Sequence, residues 1–212
     1  ENLALQDNLT KLPNRLFLID YTNALFMAHR QLEGDVAFVY IDIDRFKSVN
    51  DAFGHHIGDE LLVKLAQRLH HQLLASQKLI RIGGDEFLLI IENTTQAQTE
   101  EIAAALLHTV QEGFKISGKE INISASIGIV LYPKHGNGLQ DLLINAEAAM
   151  MQSKEQGRNT YSIYNDSIDK QQSNRSQSKL INDLYRAVEE HQFVLFYQPK
   201  FTADYKICGV EA

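Results

Sequence analysis

Apolar residues fall along this chain in two patterns: short unbroken runs, and stripes that recur every three or four positions. Val36 to Ile43 is almost continuously apolar, as expected of a strand covered on both faces. Leu61, Leu65, Leu69 and Leu73 repeat at four-residue spacing, with Leu62, Ala66 and Leu74 widening the face, which predicts a helix over 57–74. The same period predicts a helix opening near Pro13, with Asn8 or Thr10 as cap. Its stripe of Leu16, Ile19, Leu25 and Phe26 runs to about Leu32 and ends at Gly34. Further helices are expected over roughly 96–111 (Ile102, Leu106, Val110) and through Leu139, Leu142, Leu143, Ala146, Ala149 and Met150. A short one spans Arg45 to Asp51 and is broken by Gly54, and residues 1–10 read as the end of a connector helix and a loop.

The remaining signals are strands and turns. Leu79, Ile80 and Ile82 lead into Gly83-Gly84, and Phe87 to Ile91 lead out, so the glycines mark a tight hairpin. A smaller hairpin turns at Ser117-Gly118. Ile121, Ile123, Ala125, Ile127 and Ile129 then alternate with Asn122, Ser124, Ser126 and Gly128, the period of a strand with one polar side. Tyr161 to Tyr164 reads as an edge strand. The order β-α-α-β-β-α-β-β-α-β predicts an α/β (α+β) sandwich, one central mixed sheet with helices packed on it, related to the ferredoxin-like split βαβ.

Composition shifts at 165. Asn165 to Lys179 is rich in Ser, Gln and Asn and reads as a linker over 166–179. Apolar periodicity resumes at Leu180, Leu184 and Val188 before a strand from Phe193 to Tyr197. The expected organisation is one domain over 1–165, the linker, and a fragment over 180–212.

With 44% apolar and 22% charged residues among 212, the chain has the make-up of a globular protein with a real core. A net charge of −7 argues against a nucleic-acid or anionic-membrane surface. The single cysteine, Cys208, excludes an internal disulfide and reads as a small strand residue. Neither a membrane span nor a signal peptide is expected. The first residue is not methionine and the end is abrupt, so the chain reads as a piece of a longer protein.

Chemistry concentrates at the first hairpin. Asp85 and Glu86 sit at its bend, and Asp42 and Asp44 follow the apolar run Val36 to Ile41. If the two strands are neighbours these carboxylates converge, and such a cluster suits Mg²⁺ bound to nucleotide phosphates.

Gly83-Gly84-Asp85-Glu86-Phe87 resembles the signature of the GGDEF family, the diguanylate cyclases. The resemblance extends in order through Asp7-x-Leu9-Thr10-x-Leu12-Pro13-Asn14-Arg15, Asp42-Ile43-Asp44-x-Phe46-Lys47-x-x-Asn50-Asp51 and Gly54-His55-x-x-Gly58-Asp59-x-x-Leu62. It ends with Lys154-x-x-Gly157-Arg158-Asn159, covering roughly residues 3–165. It implies the nucleotide-cyclase version of the fold and the condensation of two GTP into cyclic-di-GMP and two pyrophosphates. Each domain holds one GTP, so turnover requires a two-fold homodimer.

Carried over by position, the resemblance places Mg²⁺ (or Mn²⁺) on Asp42, Asp85 and the Ile43 carbonyl, with Glu86 as further ligand or orienter. Asp85 also takes the role linked to activating the 3′-hydroxyl. A metal-bound carboxylate has a low proton affinity, which favours positioning over base catalysis. Asn50 and Asp59 would recognise guanine, the amide at its O6 or N3 edge and the carboxylate at N1–H and N2–H₂, or else would cap the helices near them. Lys154 and Arg158, one helical turn apart, would neutralise β- and γ-phosphates or else complement the helix dipole. Backbone N–H groups of the Arg45-Phe46-Lys47 turn would meet phosphate, and His55 belongs to the substrate loop. His55 and His56 are not expected to bind zinc, and Phe46 and Phe53 are expected to pack rather than stack on a base.

Two further features matter. Many members carry Arg-x-x-Asp ending five residues before the hairpin glycines, where product binds and inhibits; here the positions are Leu74 and Gln77, so inhibition there is not expected. The stretch from Leu184 through Tyr197-Gln198-Pro199-Lys200 to Gly209-Val210-Glu211-Ala212 resembles the opening of an EAL domain, the cyclic-di-GMP phosphodiesterase family, implying a GGDEF–EAL parent. Partners are therefore GTP, a second copy and an EAL domain, with no nucleic acid and no membrane contact from this piece. The location is cytoplasmic, whether or not the parent is membrane-anchored. A GTP-binding regulatory domain and a catalytically silent interaction domain stay open beside the cyclase reading.

Overall fold

The computed structural model describes residues 3–28, 34–165, 167, 168, 187, 194 and 197–211. The chain divides into two units, Glu1–Asp169 and Lys170–Ala212. In the first, α1 (Arg15–Ala28) precedes β1 (Asp35–Ile43), α2 (Phe46–Phe53), α3 (His55–His71), and the hairpin β2 (Lys78–Gly83) and β3 (Glu86–Thr94). Then come α4 (Gln96–Gln111), the small hairpin β4 (Phe114–Ile116) and β5 (Lys119–Ile121), β6 (Ala125–Tyr132), α5 (Leu139–Glu155) and β7 (Thr160–Ile163). The five-stranded sheet has the order β2-β3-β1-β6-β7; β6 and β7 are parallel and the other pairs antiparallel. This is the mixed sheet flanked by helices that the sequence predicts.

β1 lies in the middle because eight of its nine residues are buried, a pattern only a strand with neighbours on both edges and helices on both faces can satisfy. On one face Ala37, Val39 and Ile41 meet α3 and α4 through Leu61, Leu65, Leu69 and Leu106. On the other, Val36, Phe38 and Tyr40 meet α1 and α5 through Leu18, Leu25, Leu142, Ala146 and Ala149. Ile168, beyond the expected end of the domain at 165, is buried in that second cluster.

Three local expectations need correcting. Leu16 and Ile19 are exposed, because α1 buries the Leu18, Thr22 and Leu25 face instead. The alternation from Ile121 to Ile129 is not one strand: Ile121 ends β5, which pairs with β4 in a separate hairpin, and β6 begins only at Ala125. Nor does β6 keep a polar side open to water. Ser126 is fully buried, and a Cβ on Gly128 would lie 2.0 Å from the Ala146 carbonyl oxygen and 2.4 Å from the Met150 nitrogen. Small residues there let α5 rest directly on the strand.

In the second unit, β8 (Gln198–Phe201) and β9 (Ile207–Glu211) form a two-stranded hairpin that includes Cys208, exposed on β9. Leu180, Leu184 and Val188, where apolar periodicity resumes, and most of the linker and of the strand Phe193 to Tyr197, lie outside the described residues.

Candidate active site

One end of the sheet gathers the predicted residues. The β2–β3 turn is two residues long, Gly84 and Asp85, and Gly84 takes the positive φ of 53° that makes glycine necessary there. Glu86 is therefore not at the bend but opens β3, paired with Asp42 of β1, while Asp42 pairs on its other edge with Ser126. The Ile43 amide donates to the Asp85 carbonyl at 3.3 Å, tying the turn to the end of β1.

A brace that the sequence reading passed over holds this turn. Arg81 donates from Nε to the Gly84 carbonyl at 3.1 Å and from Nη1 to Asp7 Oδ1 at 2.8 Å, and its amide donates to the Pro13 carbonyl. Burial works against the Asp7 charge, but bonds from the Thr10 amide and hydroxyl and from Arg81 hold its carboxyl below the ordinary aspartate range. A depressed folded-state pKa gives stability that is complete above the unfolded value and is lost as pH falls through the folded one. Asp7→Asn is thus expected to make the melting temperature fall less steeply than wild type as pH drops below about 4. Parallel acid limbs for the two proteins would contradict this.

Asp42 and Lys154 form the core of the site. Lys154, in the last turn of α5, places Nζ 2.8 Å from Asp42 Oδ1. Burial raises the Asp42 carboxyl; Lys154 opposes the rise, and the charges of Asp85 and Glu86 add to it. Those three acidic residues thus feel one another, yet no set of three His, Cys, Asp or Glu among the described residues is arranged as a cation cage. The ammonium neutralises Asp42 in this state. Asp42, the Ile43 carbonyl and Asp85 are hard oxygen donors, the type Mg²⁺ takes. Glu86 lines a neighbouring cavity of about 580 Å³ with Tyr40 and Glu147. Burial and the nearby Glu86 carboxylate push the Tyr40 hydroxyl above its usual range.

Arg158 is not where the spacing placed it. α5 ends at Glu155, and Gly157, Arg158 and Asn159 all take positive φ (115°, 67° and 51°). The chain doubles back, with the Arg158 amide donating to the Ser153 carbonyl, and Arg158 faces Asp44, Nε to Oδ1 3.9 Å. A cavity of about 650 Å³ opens there, lined by Asp44, Arg45, Ser48 and Arg158 among others. α2 starts beside it from Arg45 in the left-handed conformation with no side-chain cap. Its first amides therefore lack the side-chain acceptor a capped helix provides, and the positive end of the helix faces the site. Lys47 is exposed, whereas Phe46 is buried in the core as expected.

Asn50 and Asp59 lie on the adjoining α2 and α3. Neither caps its helix by side chain; α3 starts from Gly54, without a side-chain cap. Asp59 is exposed and makes no ion pair or hydrogen bond among the described residues, and His55 and His56 are exposed at the start of the same helix. The Asn50 Oδ1 is buried without a hydrogen-bond partner. It sits against Gly58, where a Cβ would come within 1.9 Å. An orphaned acceptor costs about 1–3 kcal/mol, and this one, sealed between α2 and α3, can meet an outside donor only after the side chain turns.

Comparison with known proteins agrees with this geometry. Residues 4–160 match the family model described as diguanylate cyclase, GGDEF domain. Over 211 residues the chain is 43% identical to MucR of Pseudomonas aeruginosa, described as a bifunctional diguanylate cyclase/cyclic di-GMP phosphodiesterase. It is 35% identical to PdeR of Escherichia coli, a cyclic di-GMP phosphodiesterase. Each match takes in 99% of this chain but about a third of the relative, 30% and 31%. A solved structure of the GGDEF domain of TpbB from Pseudomonas aeruginosa superposes with a TM-score of 0.76 at 33% identity, over 79% of this chain and 99% of that one. Among the described residues no helix is long and apolar enough to cross a membrane. The fold, the signature turn between β2 and β3 and the family match agree: the chain belongs to the GGDEF family of diguanylate cyclase domains.

Proposed function

We propose that this domain condenses two GTP into cyclic-di-GMP and two pyrophosphates as a two-fold pair of identical domains. The observation that carries the reading is the convergence of Asp42, Asp85 and Lys154 at one sheet end. The unpaired Asn50 amide favours the N3 edge of guanine: once its side chain turns outward, Oδ1 accepts from N2–H₂ while the amide nitrogen donates to N3, and Asp59 accepts from N1–H. Adenine lacks the 2-amino group and leaves the orphan unmet. Arg158 and the α2 amides bind the β- and γ-phosphates, and Lys154 exchanges its Asp42 partner for phosphate oxygens. Asp42, the Ile43 carbonyl and Asp85 would hold Mg²⁺ or Mn²⁺, with Glu86 as an orienting neighbour. The cation, when bound, withdraws charge from the phosphates and from the attacking 3′-oxygen. Facing two such sites about a two-fold axis brings each 3′-hydroxyl in line with the opposite α-phosphorus, as the symmetric product demands.

The test is GTP turnover across a wide range of protein concentration, with Asp85→Ala beside it. A rate rising with the square of dilute protein, and lost in the variant, supports a cyclase limited by pairing. Saturable GTP binding without product would instead favour a second reading, a GTP-responsive regulatory domain of a phosphodiesterase. The 35% identity to PdeR speaks for that reading. A silent interaction domain would require no GTP binding at all. The reading of residues 180–212 as an EAL opening rests on the Tyr197-Gln198-Pro199-Lys200 and Gly209-Val210-Glu211-Ala212 resemblance alone. On this reading the parent couples both activities in the cytoplasm.

Feedback by product at the site ahead of the hairpin is expected to be absent. Leu74 is exposed and Gln77 spends its side-chain oxygen on the Leu74 amide, so neither offers the guanidinium–carboxylate grip. Initial rates should be the same with and without micromolar-range cyclic-di-GMP; inhibition that does not compete with GTP would contradict this.

A further inference from the structure

Asp44 is nearly sealed from water, with its side chain 3% exposed, yet carries a carboxylate. Such a group is stable only where donors surround it. Ser124 and Ser126 donate their hydroxyls to Oδ2 and Oδ1 at 2.6 and 2.7 Å, and the Asn159 amide donates to Oδ2 at 3.3 Å. The Arg158 Nε lies 3.9 Å from Oδ1. All of these partners are remote in sequence, and two of them belong to the left-handed turn after α5. Arg158 and Asn159 stand there in a conformation that costs a non-glycine residue roughly 1–2 kcal/mol, and Asp44 is the group that meets this turn from β1.

The two cations of the site are thus backed by two aspartates two positions apart, Asp42 near the end of β1 and Asp44 just past it. Lys154 is in full contact with Asp42 at 2.8 Å. Arg158 is held more loosely, its side chain 43% exposed, and its guanidinium donates no hydrogen bond among the described residues. We propose that Asp44 is a positioning residue for phosphate recognition: through Ser124 and Ser126 it is fixed on the sheet, and it sets the turn and direction of Arg158. This inference rests on the GTP-binding reading above and adds to it a residue that touches no substrate.

The test compares binding of GMP with that of a GTP analogue carrying a methylene between the α- and β-phosphorus, by calorimetry with Mg²⁺. In the wild type the analogue should bind more tightly than GMP. Asp44→Asn is expected to weaken the analogue about ten-fold while leaving GMP within about two-fold, because only the β- and γ-phosphates meet Arg158. Arg158→Ala should show the same pattern, and adding Asp44→Asn to it should change nothing further. Equal weakening of both ligands, or a full Asp44→Asn loss in the Arg158→Ala background, would overturn the proposal. Should Asp44→Asn fail to fold, Ser124→Ala carries the test. It removes one hydroxyl and keeps the charge, and should weaken the analogue about three-fold with GMP unchanged; no selective loss there overturns the proposal as well. A wild-type chain that binds the analogue no better than GMP overturns the function and the inference together, before any variant is made.

Discussion

Asp42→Asn should lower kcat/KM for cyclic-di-GMP formation by roughly 10³-fold while the protein stays folded. The substitution keeps the shape of a side chain that is only 10% exposed, so no cavity opens. Lys154 loses its ion pair but, at 24% exposure, can turn its ammonium toward water, so the melting temperature should shift by only a few degrees. What disappears is one of the anionic oxygens that would hold the cation against the phosphates. A loss that great corresponds to about 4 kcal/mol of transition-state stabilisation and should fall mainly on kcat. The measurement is steady-state product formation at protein concentrations where the rate per domain no longer rises, with a thermal melt alongside. A variant within ten-fold of wild type would remove Asp42 from the chemistry.

Gly58→Ala should separate binding from stability even more sharply. In a helix interior alanine is better than glycine by about 0.5–1 kcal/mol, and Gly58 is not among the glycines with positive φ, so α3 should tolerate or gain from the change. The new methyl, however, would fall 1.9 Å from the Asn50 Oδ1 and 3.1 Å from the Phe46 ring. The amide must leave its place between α2 and α3, and with it goes the group proposed to recognise guanine. GTP affinity is expected to drop by roughly 10²-fold, as when a buried polar recognition group is lost, while the melt is unchanged or slightly raised. Titration calorimetry and a melt of the same sample decide it; unaltered affinity would mean Asn50 recognises nothing.

The sequence disclosed what is local. Val36 to Ile43 reads as a strand buried on both sides, Leu61 to Leu69 as an amphipathic helix, and Gly83-Gly84 as a turn; all three stand in the structure. The misreadings share a cause: chain periodicity reports polarity but not size or long-range partners. Ser126 and Gly128 look like a wet face by their alternation, yet they are small, and smallness is what α5 needs to approach β6. Arg158 follows Lys154 at helical spacing, and Gly157 between them was the available sign that the helix had ended. Asp44 stood in the acidic group, but its donors lie at 124, 126 and 159, and only the paired strands bring them near. Arg81 was legible in principle, two positions before the glycines and matched by an aspartate in the opening motif.

β1 is hydrogen-bonded along both edges, to β3 and to β6, and buried on both faces. Backbone amides in such a strand trade their protons with solvent only through openings that approach complete unfolding. Asp42 and Ile43 close that strand, so their amides belong to the slowest-exchanging part of the chain, whereas the turn that carries Arg158 lies outside the sheet and is held by the Ser153 carbonyl and the Asp44 carboxylate. Loosening of the turn alone should therefore leave amide exchange at Asp42 and Ile43 unchanged.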